Sequence, residues 1–101
     1  MTDATVTQAL TFFFDPGHGW LIVTRDLFAA VGLTERDIST YSYQQGDLLG
    51  LEEDCDTMTF FKAYEAKYGA QPPILEKAGT CRHWARFGSK TYEEVMASYG
   101  G

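Results

Sequence analysis

The stretch TFFFDPGHGWLIV, residues 11–23, holds two apolar runs separated by a dense group of turn residues. The first run, extended back to residue 7, is rich in β-branched and aromatic side chains, which favour strands. Residues 15–19 supply Asp, Pro, His and two glycines, a composition that favours a turn. We therefore predict a hairpin in which strands over residues 7–14 and 20–23 are joined by a five-residue loop.

A short helix and a second hairpin are predicted next. Thr24 can cap the helix, and Gly32 lies where a left-handed stop residue belongs. Residues 41–45 and 48–52 favour strands, and residues 46–47 favour the tight turn between them.

A second helix is predicted over residues 57–68. Asp54 or Asp56 can cap its first turn, and Gly69 can end it. Its large apolar side chains recur at spacings of three, three and four, so they share one face of the helix. These residues are Met58, Phe61, Tyr64 and Tyr68.

Two more strands and a third helix are predicted in the last part of the chain. Residues 74–77 and 81–87 favour strands, and residues 91–99 favour a helix that opens with a capping box. In the strand over residues 81–87, alternation would place Cys81 and His83 on one face. The opposite face would carry Arg82, Trp84 and Arg86.

The resulting order, two strands and a helix repeated three times, predicts an α+β fold. We expect a mostly antiparallel sheet built from hairpins, with two to three short helices packed on one face. A chain of 101 residues fits a single globular domain over residues 1–101, with a loose N-terminus over residues 1–6.

Composition limits the classes of function. The formal charge is -6 and hydrophobic residues make up 45% of the chain, which argues against a disordered tail and against binding to nucleic acid by cationic excess. No apolar run approaches the ~18 residues of a membrane span, and a basic secretory leader is not predicted. Two cysteines are too few for a disulfide framework. We expect reduced thiols in a cytoplasmic protein, with a single disulfide left open.

The negative charge is concentrated in the first part of the chain. Residues 1–60 contain ten acidic and two basic residues, a net charge of -8, whereas residues 61–101 carry a net charge of +2. Four of the acids lie within residues 52–56, and helix capping explains one or two of them. The segment also fails as a calcium loop, because Thr57 stands where that loop needs Gly and Ala63 where it needs Glu. We predict a surplus of negative surface rather than a metal site, with a carboxylate Mg²⁺ site as the alternative left open.

Two further groups of residues suggest chemistry. His18 lies between two glycines, so a ligand could approach its ring, although a plain turn residue is the default interpretation. A zinc set of Cys55, Cys81, His18 and His83 lacks the usual ligand spacing, and no cofactor is predicted. A basic face of Arg82, Trp84, Arg86 and Lys90 could hold a phosphate or a stacked base, or its arginine stems could simply cover the tryptophan.

Three segments carry a resemblance to known proteins. FFDPGHGWL at residues 13–21, STYSY at residues 39–43 and LEEDCD at residues 51–56 resemble small proteins encoded by bacteriophages and prophages. The resemblance covers residues 12–65, and those proteins are mostly without assigned function. It implies a bacterial host cytoplasm and favours small acidic proteins that act against host defence without enzymatic activity.

The leading hypothesis is an inhibitor that binds a host protein or complex, in the manner of anti-CRISPR proteins, through an acidic surface that mimics DNA. We expect a monomer or homodimer with no direct contact to nucleic acid or membrane. The expected partner-binding residues are Asp15, His18, Trp20, Asp47, Glu52, Glu53, Asp54 and Asp56. Two alternatives are a small hydrolase-like enzyme using His18 with nearby carboxylates, and a DNA-binding regulator using the basic face.

Overall fold

A computed structural model of the chain describes residues 9–39 and 41–86. The first hairpin is confirmed: β1 (Leu10–Phe14) and β2 (Gly19–Thr24) pair antiparallel. Asp15 shapes the loop, because its Oδ1 accepts hydrogen bonds from the backbone N–H groups of Gly17 and His18, both at 2.9 Å. This is the local bonding for which Asp is favoured in turns.

The predicted first helix is α1 (Arg25–Ala30). The Thr24 side chain accepts a hydrogen bond from the backbone N–H of Leu27, so it caps the helix as expected. Gly32 follows with a φ of +89°, the left-handed conformation that glycine adopts without strain. One turn of 3₁₀-helix, Glu35–Asp37, then leads toward the second hairpin.

The second hairpin consists of β3 (Tyr43–Gln45) and β4 (Leu48–Glu52). Strand β4 also pairs antiparallel with β2, so the two predicted hairpins join into one sheet.

The second helix, α2 (Asp56–Tyr68), is confirmed, but its predicted cap is wrong and only half of its predicted apolar face packs against the core. Cys55 occupies the N-cap without a side-chain hydrogen bond, so neither Asp54 nor Asp56 caps the helix. Phe60 is fully buried, whereas Met58 is 51% exposed. Phe61 and Tyr64 of the predicted face pack against the core cluster, so the face turned to the core overlaps the predicted one but is centred on Phe60.

The predicted third hairpin is also wrong. Strand β5 (Ile74–Ala78) pairs parallel with β1, and β6 (Ala85–Arg86) pairs antiparallel with β3. The sheet is therefore mixed, with the order β5-β1-β2-β4-β3-β6 and with β5 and β6 at opposite edges. Residues 79–84, here called the crossing segment, connect these two edges.

Each face of the sheet has its own apolar cluster. On one face, residues of both helices pack against residues of the sheet, as expected for an α+β fold with helices on one side. This cluster contains Leu21, Val23, Phe28, Val31, Leu49, Leu51 and Phe60. On the other face, Trp20 and Tyr43 form a smaller cluster with Cys81 of the crossing segment.

The crossing segment corrects the expected strand over residues 81–87. The backbone N–H of Trp84 donates to the carbonyl oxygen of Cys81 at 2.9 Å, so residues 81–84 form a turn. Cys81 is buried and His83 is exposed, so these two side chains do not share a face. Residues 1–6, the helix predicted over residues 91–99 and Lys90 lie outside the described residues.

Candidate functional site

An ion pair joins the first hairpin loop to the crossing segment. The Arg82 Nε donates to Oδ2 of Asp15 at 2.9 Å, between residues 67 positions apart in the chain. Arg82 also places an Nη2 nitrogen 2.8 Å from Nδ1 of His18. The hydrogen bond from Arg82, helped by the backbone N–H groups of Gly17 and His18, holds the pKa of Asp15 well below its usual range.

The contact with Arg82 determines which nitrogen of His18 carries a proton. A guanidinium has donors and no acceptor, so Nδ1 must accept the hydrogen bond. In this arrangement the N–H donor of the ring is Nε2. His18 therefore presents an N–H donor to the solvent.

Aromatic rings support both arginines of this region. The His18 ring stacks on Trp20 with 6.0 Å between centroids, and the Arg82 guanidinium lies 5.6 Å from the centroid of the Trp20 ring. Arg86 lies 5.1 Å from the ring centroid of Tyr43 and donates to its hydroxyl at 3.1 Å. Since Trp20 is only 2% exposed, it acts as the floor of the site.

A small cavity of about 130 Å³ opens above this aromatic floor. Its walls come from the loop of the first hairpin, from β3 and β4, and from the crossing segment together with β6. They are formed by His18, Trp20, Tyr41, Tyr43, Glu52, Arg82 and Arg86. Tyr41 is 61% exposed and stands at the rim. A cavity of this size suits a single side chain better than a drug-sized ligand, which needs roughly 300–1,000 Å³.

Two of the four clustered acids have structural roles. Oε1 of Glu52 accepts the backbone N–H groups of Asp54 and Cys55, both at 3.0 Å, and so closes the turn before α2. Asp56 is 5% exposed, and its Oδ2 accepts three hydrogen bonds. The donors are Ser39 N at 2.9 Å, Ser39 Oγ at 2.7 Å and Ser42 Oγ at 2.5 Å.

The other two acids of the cluster, Glu53 and Asp54, are exposed. The backbone N–H of Glu53 donates to Gly19 O at 3.1 Å, which fixes this segment beside the loop of the first hairpin. Neither carboxylate has a hydrogen-bond or ion-pair partner within residues 9–39 and 41–86. The region made of Asp15, His18, Tyr41, Glu53, Asp54 and Arg82 is called the tip surface below.

The structure does not bring all the sequence-predicted binding residues together. Asp47 lies at the opposite end of β4 from Glu53, which at ~3.3 Å per residue is about 20 Å away. It neighbours the start of α1 instead, because Arg25 N donates to its carbonyl oxygen at 2.8 Å. Trp20 and Asp56 are buried, so they support the surface from below rather than face a partner.

The cysteines do not form a site with the histidines. Both thiols are free, with Cys55 exposed and Cys81 buried. Burial raises the pKa of the Cys81 thiol to about 12. No group of three or more His, Cys, Asp or Glu side chains in the described part of the chain could hold a metal ion.

Comparison of the chain with family models, with curated proteins and with solved structures found no match. Neither helix in the described part of the chain is long and apolar enough to cross a membrane. The functional argument therefore depends on the site itself.

Proposed function

We propose that this protein binds and inhibits another protein or complex through the tip surface. The proposed partner is a nucleic-acid-binding defence complex of a bacterial host, whose basic channel the acidic side of the tip surface would occupy. The observation that carries the proposal is the exposed pair Glu53 and Asp54, which lacks a cationic partner among the described residues. Carboxylates left free in this way attract a basic partner at long range and speed its association.

The tip surface has further properties of a protein-binding site. Tyr41 is a large exposed side chain beside a small cavity, and tyrosine is among the residues enriched in the energetic centres of interfaces. His18 and Arg82 are held by each other and by Asp15, so they lose little conformational entropy when a partner binds. That the partner belongs to a bacterial host is proposed from the expected resemblance of residues 12–65 to phage and prophage proteins.

The geometry at His18 favours binding over acid–base catalysis. In a catalytic pair, a carboxylate accepts the proton of one ring nitrogen and leaves the other nitrogen free as the base. Here Nδ1 accepts from Arg82, and the proton sits on Nε2. The carboxylate of Asp15, in the same loop, bonds to the backbone N–H of His18 and to Arg82 rather than to the ring.

The basic face is also less suited to nucleic acid than its sequence suggests. Arg82 is ion-paired with Asp15, and Trp84 packs against the buried cluster of Trp20, Tyr43 and Cys81. A tryptophan packed in this way offers little of its ring for stacking with a base.

The test compares two charge reversals of equal size at different places. In one variant Glu53 and Asp54 are changed to Lys, and in the matched control Asp26 and Asp47 are changed to Lys. All four side chains are exposed, and the control pair lies near the opposite end of β4. Glu52 is left unchanged because it closes the turn before α2.

Immobilised wild type and both variants are used to capture proteins from bacterial lysate, and each captured protein is tested for nucleic-acid binding with and without this chain. We expect at least one captured protein that binds to wild type and to the control but not to the Glu53/Asp54 variant. Adding this chain should abolish the nucleic-acid binding of that captured protein. Binding should weaken as salt is raised from 50 to roughly 500 mM, because the Debye length falls below ~5 Å. Equal capture by all three proteins, or equal loss in both variants, would contradict the proposal.

A further inference from the structure

Strand β5 is an edge of the sheet with which only β1 pairs among the described strands. All five of its residues are exposed, including two large apolar ones, Ile74 at 39% and Leu75 at 59%. Natural proteins usually shorten, charge or cover such an edge, because it offers unpaired backbone groups to another strand. Two of the five residues of β5, Glu76 and Lys77, are charged, whereas Ile74 and Leu75 leave the first part of this edge apolar.

The backbone groups that face outward can be read from the pairing with β1. Leu10 N donates to Pro73 O at 2.9 Å, and Gly79 N donates to Phe14 O at 3.0 Å. Because bonding directions alternate along a strand, Leu75 and Lys77 also direct their N–H and C=O groups toward β1. The N–H and C=O groups of Ile74, Glu76 and Ala78 therefore point away from the sheet.

We propose that β5 pairs antiparallel with β5 of a second copy of this chain, forming a closed two-fold dimer with one continuous sheet. A two-fold axis normal to the sheet keeps each face of the sheet on the same side. Residues opposite each other must then have numbers of the same parity, because side chains alternate between the faces. The two-fold axis therefore lies between two copies of the same residue. In the middle of β5 that residue is Leu75, Glu76 or Lys77.

Charge selects one of these three registers. An axis through Glu76 or Lys77 would place like charges directly opposite each other, which destabilises a strand pair. An axis through Leu75 places two exposed leucines together instead. In this register Ile74 exchanges both backbone hydrogen bonds with Glu76 of the second copy, so the outward-facing groups of both residues are satisfied.

The self-complementary register favours a second copy over an unrelated peptide. Such a dimer uses the β5 edge of each copy once and leaves no β5 edge open, so assembly through this edge stops at two. None of the residues of the tip surface lies on β5, so this inference does not depend on the proposed function. The dimer and the complex with the proposed partner should also respond to salt in opposite ways. Each copy of the chain carries a formal charge of -6, so added salt should strengthen the dimer, whereas it should weaken binding of the partner.

Sedimentation analysis of the purified chain over a range of concentrations tests the proposal. Wild type should show a concentration-dependent dimer. Leu75→Lys should raise the dimer Kd by roughly tenfold or more, because it places two ammonium groups on the axis. Glu76→Pro removes an outward N–H and leaves the bonds to β1 intact, so it should have a similar effect. Met58→Lys, at an exposed apolar residue on α2, is the matched control and should leave the Kd unchanged.

A cross-linking experiment tests the register separately, in a Cys55→Ser background. Leu75→Cys should form a covalent dimer under mild oxidation, since residues facing each other on the axis have Cα atoms ~4.5 Å apart. Lys77→Cys should not, because its two copies would lie about 13 Å apart. A wild type that stays monomeric at millimolar concentration, an equal effect of Met58→Lys, or equal cross-linking at positions 75 and 77 would overturn the proposal.

Discussion

Replacing Gly50 with Ala tests how closely the crossing segment must approach the sheet. A Cβ at this position in β4 would lie 2.7 Å from Sγ of Cys81 and 3.5 Å from its Cβ. Carbon atoms in contact normally stay ~3.5–4.0 Å apart, so the sulfur or the strand must move by about 1 Å. Cys81 is fully buried and packs with Trp20 and Tyr43, so its sulfur cannot move out into solvent.

The expected cost follows from two opposing effects. Adding a methyl group to a packed interior costs about 1–3 kcal/mol. Alanine recovers roughly 0.5–1 kcal/mol, because glycine loses more conformational freedom in a strand. We expect Gly50→Ala to lower the free energy of unfolding by about 1–2 kcal/mol. At ~4–8 °C per kcal/mol for a domain of this size, the melting temperature should fall by roughly 5–15 °C.

Urea unfolding followed by tryptophan fluorescence measures this loss, and Cys81→Ala provides the control. Without the sulfur, the nearest Cys81 atom to the new methyl group is at an ordinary contact distance of 3.5 Å. Gly50→Ala should then cost nearly nothing in the Cys81→Ala background, which gives a coupling free energy of about 1–2 kcal/mol between the two positions. An equal cost in both backgrounds would refute the assignment to the sulfur contact.

Three further outcomes are expected. Asp56→Ala should lower the free energy of unfolding by about 3 kcal/mol in urea titrations, because it leaves three donors without their acceptor, and Asp56→Asn should cost less. The depressed pKa of Asp15 stabilises the fold above pH ~4, and this stabilisation is lost as the pH falls below that value. Acid titrations of wild type and Asp15→Asn should therefore converge toward low pH, and a constant difference would argue against the ion pair with Arg82. In the native protein a thiol reagent should modify the exposed Cys55, slowly because desolvation and nearby carboxylates raise its pKa, and should reach Cys81 only after unfolding.

Elements defined by neighbouring residues could be predicted from the sequence. The Thr24 cap and the glycines at positions 32, 46 and 69 lie at the ends and turns where they were expected, and each of the three glycines has a positive φ. Their signals are local, since a cap or a left-handed residue depends on a few adjacent dihedral angles.

Features that depend on distant contacts could not be predicted. The sequence predicts the position of β5 along the chain. Its parallel pairing with β1, however, depends on where the chain lies after the end of α2. The contact of Arg82 with Asp15 joins residues 67 positions apart, and a single sequence carries no signal for such a pair.

The acidic segment illustrates the difference within a few residues. Its charge was evident, yet the burial of Asp56 depends on Ser39 and Ser42, which a turn brings over the start of α2. The apparent cluster of four acids is therefore two structural residues, Glu52 and Asp56, and two exposed ones.

The crossing segment links the stability of the fold to the tip surface. Cys81 packs against Gly50, and the next residue, Arg82, holds the loop of the first hairpin through Asp15. A shift of about 1 Å at Cys81 is large compared with the range of a hydrogen bond, which weakens between ~2.9 and 3.5 Å. Gly50→Ala should therefore weaken the Arg82–Asp15 contact as well as the core. In the Gly50→Ala protein, Asp15→Asn near neutral pH should therefore lower the free energy of unfolding by less than it does in wild type. In the Met58→Lys protein, Asp15→Asn should cost as much as it does in wild type. An undiminished difference would mean that the crossing segment positions Arg82 independently of its packing against β4.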